Sequence, residues 1–369
     1  MSRSSESKLS PRAVELAAGA LNAPASEVVV TQLTGDASTR TYFRVQARDA
    51  RVVVSIYAEP FDETERVEAR LAKMEAANPS ARLTFANDPC AHIEVTDLFL
   101  KAGLPVPRLI SASGRDRALL FEDVGDVRLQ DWIADHTPSE VADAYRKAID
   151  LIVQIQEATR LAESVGSICS KIAFDEAKLR WELGFFFANY FNRYLGLKLD
   201  AAQANGAQQD FKTLCSELAS RPRVLVHRDY HARNLMMVGD RMFIIDHQDA
   251  RMGPASYDLA SLVSDPYTAL EGELSAELIE RFIEGKSRSN TPPGDREEFR
   301  TELELMTIQR MLKAVGTYSY QTAVMGNLTY VDYIEPAIER SIVSISALSR
   351  FDNLRALLER AREIKPAGA

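Results

Sequence analysis

Leu225-Val226-His227-Arg228-Asp229-Tyr230-His231-Ala232-Arg233-Asn234, followed shortly by Phe243-Ile244-Ile245-Asp246-His247-Gln248-Asp249, decides how this chain is read. The first block fits H-x-D-x-x-x-x-N. In that pattern an Asp orients a hydroxyl that attacks phosphorus, and the Asn turns back towards a divalent cation. The second block is an apolar strand, Met242 to Ile245, ending in Asp246. A carboxylate at a strand's end is placed to hold the magnesium that bridges nucleotide phosphates. Either half alone is ordinary, because an Asp after an apolar run is commonly a turn or cap residue. The conjunction carries the reading: the loop lies between apolar strands, Val224 to Val226 and Leu235 to Val238, with Tyr257-Asp258-Leu259-Ala260 downstream.

Roles follow from residue type. Asp229 is the candidate catalytic residue, either as the base or as the group that orients the acceptor hydroxyl, and Asn234 and Asp246 are the candidate magnesium ligands. Arg228 and Arg233 have two open readings: contacts to phosphate or acceptor, or ion pairs with neighbouring carboxylates. His227 and His231 lie four apart with no Glu between them, so they read as loop scaffolding rather than a zinc pair. Asp258 is expected to hold the loop by accepting its N–H groups.

Upstream, Ser10-Pro11 opens a capped helix, and Val28 to Leu33, Thr41 to Ala47 and Arg51 to Tyr57 read as an antiparallel meander. The turn Thr34-Gly35-Asp36-Ala37-Ser38-Thr39-Arg40 has the composition of a phosphate-covering loop. Gly35 permits the bend, Ser38 and Thr39 offer hydroxyls, and Arg40 offers a guanidinium, although an ordinary hairpin tip has the same look. Phe61 to Ala77 and Asp88 to Ala102 carry helical periodicity, the latter stopped by Gly103-Leu104-Pro105-Val106-Pro107. Two further strands, Arg108 to Ala112 and Arg117 to Phe121, lead into Glu122-Asp123-Val124-Gly125-Asp126. That segment is either a hinge whose Glu122 and Val124 backbone groups meet an adenine, or a solvated acidic turn.

From Leu129 on the pattern is helical. Phe174 to Leu197 carries Trp181, Phe185, Phe186, Phe187, Tyr190, Phe191 and Tyr194, which suits a buried aromatic helix or a sugar-stacking or lipid-facing wall. Ala201 to Ala207 reads as a polar linker before a helix Phe211 to Ser220. Helices are expected over Tyr257 to Leu270, Ser275 to Gly285, Arg296 to Tyr320 and Glu335 to Glu363. The expected architecture is α+β and bilobal: residues 1–122 as a small antiparallel-sheet lobe that binds nucleotide, and 123–369 as a mostly helical lobe with the catalytic loop and acceptor site.

Bulk properties bound the function. A chain of 369 residues accommodates two lobes with separate cores. Its net charge of −9 and lack of a Lys/Arg block argue against nucleic acid as a partner. Cys90, Cys169 and Cys215 are too few and too scattered for a disulfide framework or zinc site. No secretory leader or membrane span is legible. A monomeric cytoplasmic enzyme with a small-molecule substrate is the expectation.

The segments Gly35 to Arg44, Gly103 to Pro107, His227 to Met236 and Ile245 to Pro254, with Leu179 to Leu183 and Gln309 to Gly316, resemble the aminoglycoside phosphotransferase superfamily. These small-molecule kinases have a protein-kinase-like fold. The narrower likeness is to the bacterial anomeric kinases of cell-wall recycling, which phosphorylate N-acetylmuramate and N-acetylglucosamine at C1. The resemblance implies ATP and Mg2+ as cofactors, Asp229 as catalytic Asp, Asn234 and Asp246 as metal ligands, and the Gly35 turn over the phosphates. It leaves other acceptors open, including aminoglycosides and amino alcohols. Arg233, Asp249 and Glu182 are the expected acceptor-binding residues. One departure matters: Val52-Val53-Val54-Ser55-Ile56-Tyr57 has Ser55 where a kinase strand carries its ATP-binding Lys. The narrower family also tends to lack that Lys. The gap motivates a rival reading, a pseudokinase that binds without turnover, and it leaves the substitute cation open between Arg40 and another basic residue.

Overall fold

Alternation of apolar residues builds the first sheet, because successive strand side chains point to opposite faces. In the computed structural model, which describes residues 9–33, 40–77, 84–268, 270–290, 292 and 294–364, helix α1 (Pro11–Ala20) is followed by β1 (Val29–Leu33), β2 (Thr41–Ala47) and β3 (Ala50–Ile56). Helices α2 (Val67–Ala77) and α3 (Pro89–Lys101) precede β4 (Leu109–Ser113) and β5 (Ala118–Glu122). The strands form one antiparallel sheet ordered β1-β2-β3-β5-β4. Phe43, Val45, Val52, Val54, Ala118 and Leu120 are buried with Ala17 of α1, and Leu16 and Leu21 pack beside them. On another cluster Tyr57, Leu119 and Phe121 are buried with Ile93 of α3 packed against them. Ser10 caps α1 and Asp88 caps α3, as their sequence positions imply. Of the expected helix from Phe61, only the part from Val67 is helical.

The chain then builds α4 (Leu129–Trp132), α5 (Pro138–Glu157), α6 (Thr159–Ser164), α7 (Glu176–Phe187), α8 (Ala201–Ala219) and β6 (Arg223–Val226). Hairpin β7 (Leu235–Val238) and β8 (Arg241–Ile244) follows, then β9 (Arg251–Pro254), which pairs antiparallel with β6. Helices α9 (Tyr257–Val263), α10 (Gly272–Ser287), α11 (Arg296–Ala323), α12 (Ile334–Leu348) and α13 (Asp352–Arg362) complete the fold. Contacts divide the chain into two units: Met1–Ala77, Leu83–Val127 and Leu235–Asp249 in one, and Asn78–Arg82, Arg128–Asn234 and Ala250–Ala369 in the other. The sequence reading has a single break at 122/123; by contacts, hairpin β7–β8 belongs with the sheet. Its backbone is tied there, Met237 N donating to Val127 O and Ile244 N to Pro105 O, each at 2.8 Å.

Several helix boundaries differ from expectation for local reasons. Residues 201–207 are not a linker: α8 begins at Ala201, where Asp200 and Gln203 form a reciprocal capping box. The helix from Tyr257 ends at Val263, and Asp265 then accepts the N–H of Tyr267 at 2.9 Å. The last expected helix is two, α12 and α13, separated by Ser349 and Phe351 in left-handed conformation (φ 51° and 62°). Of the aromatics after Phe174, Phe186 and Phe191 are fully buried. Phe186 meets Phe211 of α8, so this face is interior packing. No described helix is long and apolar enough to cross a membrane.

Helix α11 lies close against α7 at Gly316, where an added Cβ would sit 2.7 Å from Phe186 Cα and 3.0 Å from its backbone nitrogen. Backbone cannot swing aside as a side-chain tip can. Gly316→Ala is therefore expected to destabilise by roughly 1–3 kcal/mol through overpacking. The roughly 1 kcal/mol that alanine gains over glycine in a helix does not compensate. A fall in urea midpoint at unchanged slope checks this.

Candidate active site

In the second unit the loop after β6 is fixed by buried carboxylates. Asp258, at the start of α9, accepts the backbone N–H of His227 at 2.7 Å and of Arg228 at 3.0 Å. Asp265 accepts from Ala232 N at 2.9 Å. Burial raises the pKa of both acids, that of Asp265 to about 6. Arg228 is held at φ 88°, a strained conformation for a residue with a side chain, and such strain persists only where neighbours enforce it. The two histidines sit against tyrosine rings, His227 on Tyr230 and His231 on Tyr267. Burial pushes the His231 pKa down to about 3, so its ring is neutral scaffolding.

Asp229 is a quarter exposed and receives two cations from α11: Lys313 Nζ at 2.8 Å and Arg310 at 3.4 Å, both on Oδ1. Burial on its own would raise the carboxyl pKa; Lys313, Arg228 and Arg310 outweigh it and hold the group well below the usual carboxylate range. An acid held so firmly ionised is a poor proton acceptor and a good orienter of a hydroxyl. Asn234 donates from Nδ2 to the carbonyl of Asp229 at 2.8 Å, which leaves its amide oxygen as the atom suited to a cation.

Arg233 of this loop stacks on the Tyr267 ring, its guanidinium carbon 4.6 Å from the centroid. Glu182 on α7 is 2% exposed; Gln309 donates to it at 2.8 Å and Lys178 lies 3.8 Å away. Its described contacts are thus with its own unit's interior.

In the first unit Asp246 stands just past β8 at φ 61°, a second strained residue within the two sequence blocks. Its Oδ1 accepts from Arg40 at 2.9 Å and from Gln248 Nε2 at 2.8 Å. Ser55, fully buried, pairs across the sheet with Tyr42 and with Leu119. Tyr42 also carries the Arg40 guanidinium 5.5 Å from its ring centroid. A guanidinium thus lies beside the neighbours of Ser55, and it already holds Asp246. On α3, His92 Nδ1 lies 2.7 Å from Tyr57 Oη. Glu94 is engaged elsewhere, with Arg70 at 2.6 Å.

The segment after β5 is tied down at Asp123. The Asp123 side chain is 1% exposed and takes Arg44 at 2.6 Å, and Gly125 N donates to it at 2.8 Å. Glu122 donates its N–H to Arg108 O at 2.9 Å. Val124 is buried with Met236 and Phe243, with Ile245 packed alongside: an apolar wall of the kind that seats a flat ring. Asp249 is 3% exposed and accepts from Thr84 Oγ1 at 2.6 Å and Phe85 N at 2.9 Å, anchoring its own unit's chain. Gly35, Ser38 and Thr39 lie outside the described residues.

Lys313 and Arg310 were not legible as site residues. They are 84 and 81 positions from Asp229, on a helix whose pattern reads as core, and only their position within Gln309 to Gly316 hinted at them.

Comparison with known proteins gives the family and the fold. A model described as "Phosphotransferase enzyme family" matches residues 29–300. The N-acetylmuramate/N-acetylglucosamine kinase of Pseudomonas aeruginosa is 28% identical over 83% of this chain and 83% of its own. That of Neisseria meningitidis serogroup B is 28% identical over 80% and 79%. Among solved structures, a choline kinase from Cryptosporidium parvum Iowa II superposes at TM-score 0.58 with 12% identity, covering 94% of this chain and 98% of the other. A choline kinase from Streptococcus pneumoniae gives 0.54 with 13% identity, covering 90% and 97%. The structural likeness carries the protein-kinase-like α+β fold, and the family match extends over well more than half the sequence: the chain belongs to the phosphotransferase enzyme family.

Proposed function

We propose that this phosphotransferase moves the terminal phosphoryl group of ATP onto the anomeric C1 hydroxyl of N-acetylmuramate or N-acetylglucosamine. The observation that carries the reading is Asp229: ionised, clamped by Lys313, and set on a loop whose backbone two buried acids hold. Phosphoryl transfer asks a protein mainly for positioning and for charge near the reacting oxygens. Asp229 orients the hydroxyl by accepting its hydrogen bond. Arg40 takes the duty of the absent strand lysine, and Glu122 and Val124 meet the adenine. The Gly35 turn, with Ser38 and Thr39, covers the phosphates.

Asn234 and Asp246 would hold magnesium. One amide oxygen and one carboxylate fit an ion that keeps waters and takes phosphate oxygens for its remaining ligands. When bound, that ion neutralises phosphate charge. Arg233, Asp249 and Glu182 complete the acceptor end, Arg233 by direct contact and the two acids through the residues they anchor. The sugar assignment draws on the names of the relatives, which are 25–28% identical.

The test is turnover of N-acetylmuramate, N-acetylglucosamine, kanamycin and choline by one preparation, with products assigned by phosphorus NMR. A sugar 1-phosphate from either acetylated sugar is expected. Exclusive phosphorylation of kanamycin or choline would replace this reading with the amino-acceptor one. Absence of any acceptor-dependent ATP consumption would favour a pseudokinase.

A further inference from the structure

The second unit concentrates positive charge around its one catalytic carboxylate. Lys313 and Arg310 reach Asp229 from α11, and Arg228 Nε lies 3.8 Å from its other oxygen. Behind them Lys178 pairs with Glu182, and Arg251 is 1% exposed over the Phe174 ring. Lys313 and Arg310 thus share one carboxylate oxygen, with Arg228 beside the other. Neighbouring Arg233 and Asp265 offset one another.

The cations disturb one another. Burial, then repulsion from Arg310 and Arg228, draws the Lys313 pKa down to about 8 despite Asp229. Burial also lowers Lys178 to about 7, with Arg228, Arg251 and Lys313 adding to the shift while Glu182 opposes it. Such an excess in a low-dielectric setting is relieved by an anion and worsened by another cation. The exposed end of the group is where a ligand can reach it. Arg310 and Lys178 side chains are 6% and 4% exposed, whereas Lys313 is 18% and Asp229 26%.

Resting on the proposed sugar kinase activity, we propose that Lys313, backed by Arg310, recognises an acidic substituent on the acceptor, so that this site selects carboxylate-bearing sugars over neutral and amine-bearing ones. N-acetylmuramate differs from N-acetylglucosamine by a lactyl ether whose carboxylate supplies that charge. The ammonium that steadies Asp229 would then also pair with the acid of the sugar whose hydroxyl Asp229 orients. A free amine on the acceptor meets the same excess as repulsion.

The experiment compares kcat/KM for N-acetylmuramate and N-acetylglucosamine in the full-length enzyme and in Lys313→Met and Lys313→Arg. The wild type is expected to favour N-acetylmuramate by about tenfold or more, and Lys313→Met to lower that ratio by about 30-fold, chiefly through KM, on the scale of losing one desolvated charge pair. Lys313→Arg should retain most of the preference. Any loss shared by both sugars reports Asp229 positioning and cancels in the ratio. An unchanged ratio, with both sugars equally impaired, overturns the proposal and assigns the lysine to the transferred phosphoryl group. A wild type that turns over neither sugar refutes the activity instead. Calorimetric binding of N-acetylmuramate, N-acetylglucosamine and glucosamine then decides the charge preference, with tightest binding of the acid expected and equal binding of all three overturning it. Thermal melts of both variants confirm that the comparison is between folded proteins.

Discussion

Asp229→Ala is expected to lower kcat by about a thousandfold or more while leaving the KM for ATP within a few-fold of wild type. Each ~1.4 kcal/mol of lost transition-state stabilisation is tenfold in rate. Loss of a group that orients the attacking oxygen removes both positioning and local charge. A second consequence follows from the ion pairs. Alanine leaves Lys313 and Arg310, which both lie on Asp229 Oδ1, without their shared carboxylate. Breaking a largely buried pair from one side typically costs about 3–5 kcal/mol, so a lowered melting temperature should accompany the lost activity. Asp229→Asn separates the effects, since it keeps the shape and a hydrogen-bonding oxygen but not the charge. Its activity should remain near that of the alanine variant. Retention of more than a tenth of wild-type kcat by either variant would remove Asp229 from the chemistry.

Asp246→Ala is expected to cost about 100- to 1,000-fold in kcat and to shift the magnesium dependence to higher concentration. Asp246 differs from Asp229 in what surrounds it. Its side chain is 40% exposed, and its cation is Arg40 at 2.9 Å, the guanidinium proposed to serve in place of the strand lysine. The substitution thus removes a proposed metal ligand and also the anchor of Arg40, and KM for ATP should rise with the loss of kcat. A magnesium titration separates the causes: partial rescue at high magnesium reports the ligand, and a raised KM that magnesium does not correct reports Arg40. Wild-type magnesium dependence in this variant would exclude Asp246 as a ligand.

Much of this chain is readable because local chemistry is repeated locally. The meander β1–β3 follows from alternating β-branched residues, α1 and α3 from their caps, and the candidate loop from spacing alone. Where reading by segment went astray, the missing information was of two kinds. Some was present but small: Asp200 and Gln203 form a capping box that extends α8 back to Ala201. Some was absent from the local sequence: Ser349 and Phe351 adopt left-handed backbone without glycine or proline to announce it.

The same division runs through the site. The sequence by itself determined which side chains are chemically able to act: an Asp and an Asn on one loop, an Asp at one strand's end, and no lysine at Ser55. Those are matters of residue type and spacing along a few turns of backbone. Only the tertiary structure decided their electrostatic surroundings. It brings Lys313 to Asp229 from 84 residues away and Arg40 to Asp246 from 206 residues away. Coulombic coupling depends on distance through space and on burial, and neither quantity is written in the order of the residues.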